Sequence, residues 1–223
     1  MKQILCFGDS NTYGLIPGTG ERYGWNVRWT SILAERFREM GYRVLEEGLC
    51  GRTTVFEDPL REGRRGTEIL PILLESHNPI DIIVLMLGTN DCKTVFAASP
   101  VLIGKGIEKL LEQIRQKSWE SKVVLVSPIL LGEGVWEEGY DREFDRNSVE
   151  TARSLPKIYE RIAAEQGIYY LSASEYANPC ETDREHMDEE GHRKFAEALG
   201  ALLEQITGSS RIPENHDCTA GKS

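Results

Sequence analysis

The sequence predicts an α/β fold in which helices cover both faces of a five-stranded parallel sheet. Short apolar runs alternate with longer amphipathic stretches along almost the whole chain, a β-α pattern repeated five times. The run Asp81 to Leu87 (DIIVLML) is apolar after its first residue, which marks a strand buried on both faces between helical layers. Together these observations describe a doubly wound sheet.

Each element follows from local pattern. Gln3 to Phe7 (QILCF) is the first strand, and the turn-rich GDSNTYG comes directly after it. Trp29 to Met40 places Ile32, Leu33, Arg36 and Phe37 at helical spacing, with Gly41 as a stop signal. Tyr42 to Glu46 is the second strand. Gly66 to Ser76 is a helix whose Pro71 has to sit in the first turn or kink it. Asp81 to Leu87 is the third strand, followed by a helix near Val101–Lys117. Lys122 to Ser127 is the fourth strand, and a helix spans Val149–Gln166. Ile168 to Leu171 and a last helix at Asp188–Ile206 complete the alternation. No internal repeat or interdomain linker interrupts it, so residues 1–207 read as one domain. The polar stretch 208–223 lacks periodicity and is expected to be disordered. Pro128 to Asp145 is a long acidic loop. It reads as a lid or as a solvated excursion, and the second is the simpler expectation.

Composition narrows the function classes. The 223 residues are 40% hydrophobic and 28% charged, enough apolar material for a core. The 26 basic and 36 acidic residues give a net charge of −10, which repels nucleic acid and anionic membrane surfaces. No apolar run approaches the roughly 18 residues of a membrane helix, and MKQILCFGDS is too brief for a signal-peptide core. Cys6, Cys50, Cys92, Cys180 and Cys218 form no CxxC pair and no zinc spacing, so they read as free thiols in a reducing cytoplasm. A cytoplasmic enzyme on small molecules is the expected class, with a homo-oligomer left open.

In an open parallel sheet, ligands bind beyond the carboxyl ends of the strands. There the first strand is followed by Gly8-Asp9-Ser10-Asn11, and the second by Glu47-Gly48-Leu49-Cys50-Gly51-Arg52-Thr53-Thr54. The third is followed by Gly88-Thr89-Asn90-Asp91, and the fifth by Asp183-Arg184-Glu185-His186. With a strand order of 2-1-3-4-5, Gly51 and Asn90 flank Ser10. A serine hydroxyl is a weak nucleophile until a base takes its proton. His186 is the one histidine of four in a loop at this edge with a carboxylate, Asp183, near enough in sequence to orient it. The backbone N–H groups of Ser10 and Gly51 and the side-chain amide of Asn90 supply donors for an oxyanion. Each loop alone also reads as an ordinary turn or helix cap. Their order and placement together point to acyl transfer through Ser10.

The strings GDSN (8–11), EGLCGRTT (47–54), GTND (88–91) and DREH (183–186) resemble the four blocks of the SGNH, or GDSL-like, hydrolase superfamily. The resemblance runs from residue 2 to about 206. ILCFGDSNTYG, VRWTSILA, EGLCGRTT and MLGTNDCK are similar to its cytoplasmic bacterial aryl and carboxyl esterases. It implies a flavodoxin-like three-layer αβα sandwich, no cofactor and no metal. It also implies Ser10 as nucleophile, Asp183 and His186 as its partners, and Gly51 and Asn90 in the oxyanion hole. The expected reaction is hydrolysis of carboxylic esters through an acyl-Ser10 intermediate, with acyl transfer to alcohols as a second outcome. Carbohydrate acetylesterase, thioesterase and lysophospholipase are alternatives within the superfamily, and a non-catalytic binding module is one outside it.

Asn11 stands where many relatives have Leu, and is expected to affect packing or substrate shape. Asn11, Tyr13, Cys50 and Cys92 are candidate pocket-lining residues. Trp25, Phe56 and Phe96 read equally as pocket or as core. Arg52 is expected to meet a substrate carboxylate or, more simply, a loop acid. Asp9 and Asp91 are expected to pin turns, and His77 to cap a helix. His216 falls in the tail. A metal held by Asp183, His186 and His192 is a competing reading that leaves Ser10 and Asn90 idle.

Overall fold

Residues 1–208 are described by a computed structural model; the expected disorder of the tail, with His216 and Cys218, lies beyond them. Strands β1 (Lys2–Gly8), β2 (Tyr42–Gly48), β3 (Ile82–Met86), β4 (Lys122–Ser127) and β5 (Tyr169–Ser172) pair in parallel. Their order is β2-β1-β3-β4-β5. Gly8 lies opposite Gly48 on one side and Met86 on the other, so the turns after these three strands start at one level.

Side chains alternate across the sheet, and both faces are covered. Leu5, Phe7, Ile83 and Leu85 face one core with apolar residues of α3 (Gly66–Ser76), α4 (Pro100–Lys117) and α5 (Arg146–Gln166). Ile4, Cys6, Ile82, Val84 and Met86 face the other, with Trp29, Leu33 and Phe37 of α2 (Trp29–Arg38) and Phe195, Leu199 and Leu203 of α6 (Glu189–Thr207). This two-sided burial accounts for the unbroken apolar run of β3.

Three local features depart from the sequence expectations. The GDSNTYG turn contains a one-turn helix, α1 (Ser10–Tyr13). Pro71 lies beyond the first turn of α3, and the helix continues through it. The ring removes the N–H that would bond the Thr67 carbonyl, and Gln113 Nε2 of α4 donates to that carbonyl instead at 2.8 Å. The 130–145 loop is not a solvated excursion. Leu131, Val135 and Phe144 are buried in the core, Thr94 N donates to Glu143 O at 2.8 Å and Gly132 N to Arg184 O at 2.8 Å. Among the described residues, no helix is long and apolar enough to cross a membrane.

Candidate active site

Ser10 is placed by the end of β1. Asp9 caps α1, its Oδ1 accepting from Asn11 N at 3.0 Å, and Ser10 is the first residue of the helix. The helix lies so close to β2 that a Cβ on Gly48 would meet Tyr13 N at 2.1 Å, and glycine is required there. Ser10 is 4% exposed and opens into the edge of the sheet.

His186 Nε2 lies 2.8 Å from Ser10 Oγ, and its Nδ1 lies 2.8 Å from Asp183 Oδ2. Asp183 is held in turn. Its Oδ1 accepts from the backbone N–H groups of Glu185 and His186, both at 3.0 Å, and its Oδ2 accepts from Gly18 N at 3.0 Å. The loop closes on itself through Cys180 N to His186 O and Arg184 N to Cys180 O, each 2.7 Å. Asn11 straps it to α1: Asn11 Oδ1 accepts from Met187 N at 2.9 Å, and Asn11 Nδ2 donates to Glu185 O at 3.4 Å. Asn11 therefore carries the serine helix and the histidine loop together, a role beyond the packing expected of it.

Electrostatics follow from this geometry. Burial works to raise the Asp183 pKa, but the hydrogen bond and charge of His186 outweigh it and hold the group at about 2. Burial works to lower that of His186, yet the carboxylates of Glu185 and Asp183 raise it above the ordinary imidazole value. Ser10 thus faces an imidazole that is a stronger base than one in water.

Gly51 adopts φ +81°, a left-handed conformation that glycine tolerates. Asn90 is 2% exposed, and its Nδ2 donates to Arg52 O at 3.2 Å. That bond uses one of two amide hydrogens and leaves the other for a ligand. The loops bearing Gly51 and Asn90 are also pinned by Asp91, which accepts from Thr54 N at 2.9 and 3.1 Å and from the Thr54 hydroxyl. Burial pushes the Asp91 carboxyl up to about 6. Asp91 pins a neighbouring loop, whereas Asp9 pins its own.

The remaining singled-out residues fall elsewhere. Arg52 meets neither a substrate-facing space nor a loop acid. It is buried, stacks 4.2 Å from the Phe7 ring, and donates to Gly8 O at 2.8 Å and to Glu47 O. Cys92 is buried, bonds Gly88 O at 3.4 Å, and borders a cavity of about 310 Å³ that Lys93, Ser99 and Asp145 also line. Cys50 is half-buried beside Gly51, and the Tyr13 ring carries the Arg22 guanidinium at 4.6 Å. Phe56 and Phe96 stack on each other at 5.1 Å, and Trp25 Nε1 bonds Glu35 at 3.0 Å. His77 ends α3 with Nε2 3.2 Å from Glu47 Oε1. His192 is fully buried, and its Nδ1 accepts from Trp29 N at 3.4 Å. Among the described residues, no group of three His, Cys, Asp or Glu side chains is arranged to hold a metal ion. Cys6, Cys50, Cys92 and Cys180 are free thiols.

Sequence reading passed over Glu185. It is 7% exposed, with Oε1 3.8 Å from His186 Nε2. The available signal was an acid directly before the candidate base.

The GDSL-like lipase/acylhydrolase family matches residues 6–194. The chain belongs to that family. Two solved structures extend the likeness along its length. An aryl esterase from M. smegmatis is 30% identical, with a TM-score of 0.85, covering 92% of this chain and 100% of its own. A carbohydrate acetylesterase from Sinorhizobium meliloti is likewise 30% identical, with a TM-score of 0.85 and the same 92% and 100% coverage. A comparison with curated proteins finds no match. As a member of this SGNH-type family, the protein is an ester hydrolase.

Proposed function

We propose that the protein is a serine esterase cleaving short-chain carboxylic esters through an acyl-Ser10 intermediate. The observation that carries this reading is the chain of two 2.8 Å contacts from Ser10 Oγ through His186 to Asp183 Oδ2. Ser10 Oγ attacks the ester carbon as His186 Nε2 takes its proton, and Asp183 holds the imidazolium that forms. The N–H groups of Ser10 and Gly51 and the Asn90 amide receive the oxyanion. Collapse breaks the bond to the alcohol oxygen, which leaves with the proton from Nε2. Water, or a second alcohol in acyl transfer, then reverses the sequence at the acyl carbon.

Burial supports short acyl groups: Ser10 is 4%, His186 6% and Asn90 2% exposed. The esterase neighbours, one named for aryl and one for carbohydrate acetyl esters, frame the alcohol side. Acetyl esters of phenols or sugars, in the cytoplasm, are the proposed substrates. The test is kcat/KM for a chain-length series of 4-nitrophenyl esters beside acetylated sugars, in wild type and Ser10→Ala. Acetyl should be favoured, and the variant should lose several powers of ten. Full turnover by folded Ser10→Ala would overturn the proposal.

A further inference from the structure

The reaction just described leaves one buried acid without a task. Glu185 lies between Asp183 and the base His186, and its main chain is already used. Its N–H donates to Asp183 Oδ1 at 3.0 Å, and its carbonyl accepts from Asn11 Nδ2. The side chain is nine-tenths buried, and its contact within 4.0 Å of an opposite charge is Oε1 to His186 Nε2 at 3.8 Å.

Charges on three loops act on this carboxyl. They are those of Lys93 in the turn after β3, Asp141 in the 130–145 loop and Asp183 in its own loop. Lys93 is itself occupied, since its Nζ and the Arg61 guanidinium both meet Glu143 Oε2. The half-buried Cys50 thiol, next to Gly51, feels Glu185 as well, and Asp9 adds a further negative charge toward His186. The nitrogen that Glu185 Oε1 approaches, His186 Nε2, is the one 2.8 Å from Ser10 Oγ, so the carboxyl borders the reacting pair.

We propose that Glu185 is a positioning residue for the reaction: a second carboxylate for His186, on the nitrogen opposite the one Asp183 holds. The assignment rests on Ser10 and His186 working as proposed above. In each half-reaction Nε2 gains a proton from the attacking oxygen and later returns it to a departing one. While it holds that proton the ring is positive, and a carboxylate 3.8 Å away in a buried site stabilises that state. At that distance Oε1 does not take the Ser10 hydroxyl's place as hydrogen-bond partner of Nε2. Burial raises the Glu185 pKa above the usual carboxylate range, while the charge of His186 opposes that rise.

Glu185→Gln keeps the side-chain shape and the backbone ties while removing the charge. Without that charge the imidazole loses its proton at lower pH, so the acid limb of the kcat/KM profile moves downward. The experiment measures phenyl acetate hydrolysis by pH-stat in wild type, Glu185→Gln and Glu185→Asp, and the His186 imidazole titration by NMR in a Ser10→Ala background. Glu185→Gln should shift both limb and imidazole midpoint down by about one pH unit or more and lower the plateau several-fold. Glu185→Asp, which restores the charge, should return the limb most of the way. An unmoved imidazole midpoint in folded Glu185→Gln would overturn the proposal, as would a limb that moves without it. Absence of Ser10-dependent hydrolysis in wild type would instead defeat the esterase mechanism, while the NMR midpoints still decide the Glu185–His186 coupling.

Discussion

Asn11→Ala tests whether the strap between the serine helix and the histidine loop matters to both stability and rate. Asn11 Oδ1 is the acceptor for Met187 N at 2.9 Å, and Met187 is fully buried. Truncation leaves that N–H without its partner, a cost of about 1–3 kcal/mol. The bond from Nδ2 to Glu185 O is long at 3.4 Å and adds little. The Asn11 carbonyl, which accepts from Trp29 Nε1 at 3.0 Å, survives the substitution. A loss of about 2 kcal/mol in a chain of this size lowers Tm by roughly 4–8 °C. Met187 follows His186 directly, so loosening it shifts the imidazole relative to Ser10, and such misplacement costs about 10- to 100-fold in kcat. Asn11→Leu keeps the branched shape but lacks the acceptor, and should behave no better. The assay is calorimetry beside steady-state kinetics on 4-nitrophenyl acetate. An unchanged Tm together with an unchanged kcat would refute the reasoning and return residue 11 to a packing role.

Asn90→Asp replaces the proposed oxyanion donor by a negative charge, and kcat should fall by about 10²–10³ with KM little altered; near-normal turnover would remove Asn90 from the site. Gly51→Ala meets both φ +81° and a Cβ 3.1 Å from Arg61 Nη1. It should cost about 1–2 kcal/mol in urea unfolding and reduce kcat as the N–H turns away; a variant as stable as wild type would contradict the strain. Asp183, whose folded pKa is held down at about 2, contributes stability that is present above its unfolded pKa and lost as pH falls toward 2. Between pH 5 and pH 3 wild type should therefore lose about 1 kcal/mol that Asp183→Asn does not lose. Equal losses in the two proteins would show that the carboxylate is not held as the geometry indicates.

Much of this architecture was legible because it rests on periodicity. The β-α alternation and the buried run at β3 lead to the sheet order, and the turn after each strand leads to Ser10, Gly51, Asn90 and the Asp183–His186 pair. What escaped was non-local. The Thr67 carbonyl, left without a helical donor by Pro71, is met by Gln113, which belongs to another helix. Arg52 looked like a partner for an acid, but its guanidinium is taken by backbone carbonyls and an aromatic face that no local pattern announces. The 130–145 loop looked solvated because acids are spread through it without periodicity, yet Leu131, Val135 and Phe144 anchor it in the core. Asn11 read as a packing or pocket residue and Asp91 as a pin for its own turn, whereas each bonds a loop distant in sequence. Glu185 carried the weakest signal, a single acid in a short polar loop whose meaning appears only beside His186 Nε2.

Intact-protein mass spectrometry after reaction with a fluorophosphonate tests most directly whether Ser10 is the activated nucleophile. Wild type should gain one phosphonyl group with parallel loss of esterase activity, and peptide mapping should place it on Ser10. Ser10→Ala should gain none, and His186→Ala should react far more slowly, because only a serine whose proton has a base to go to attacks phosphorus readily. Complete inactivation with the label on another residue, or full esterase activity in a protein that takes up no label, would contradict the account.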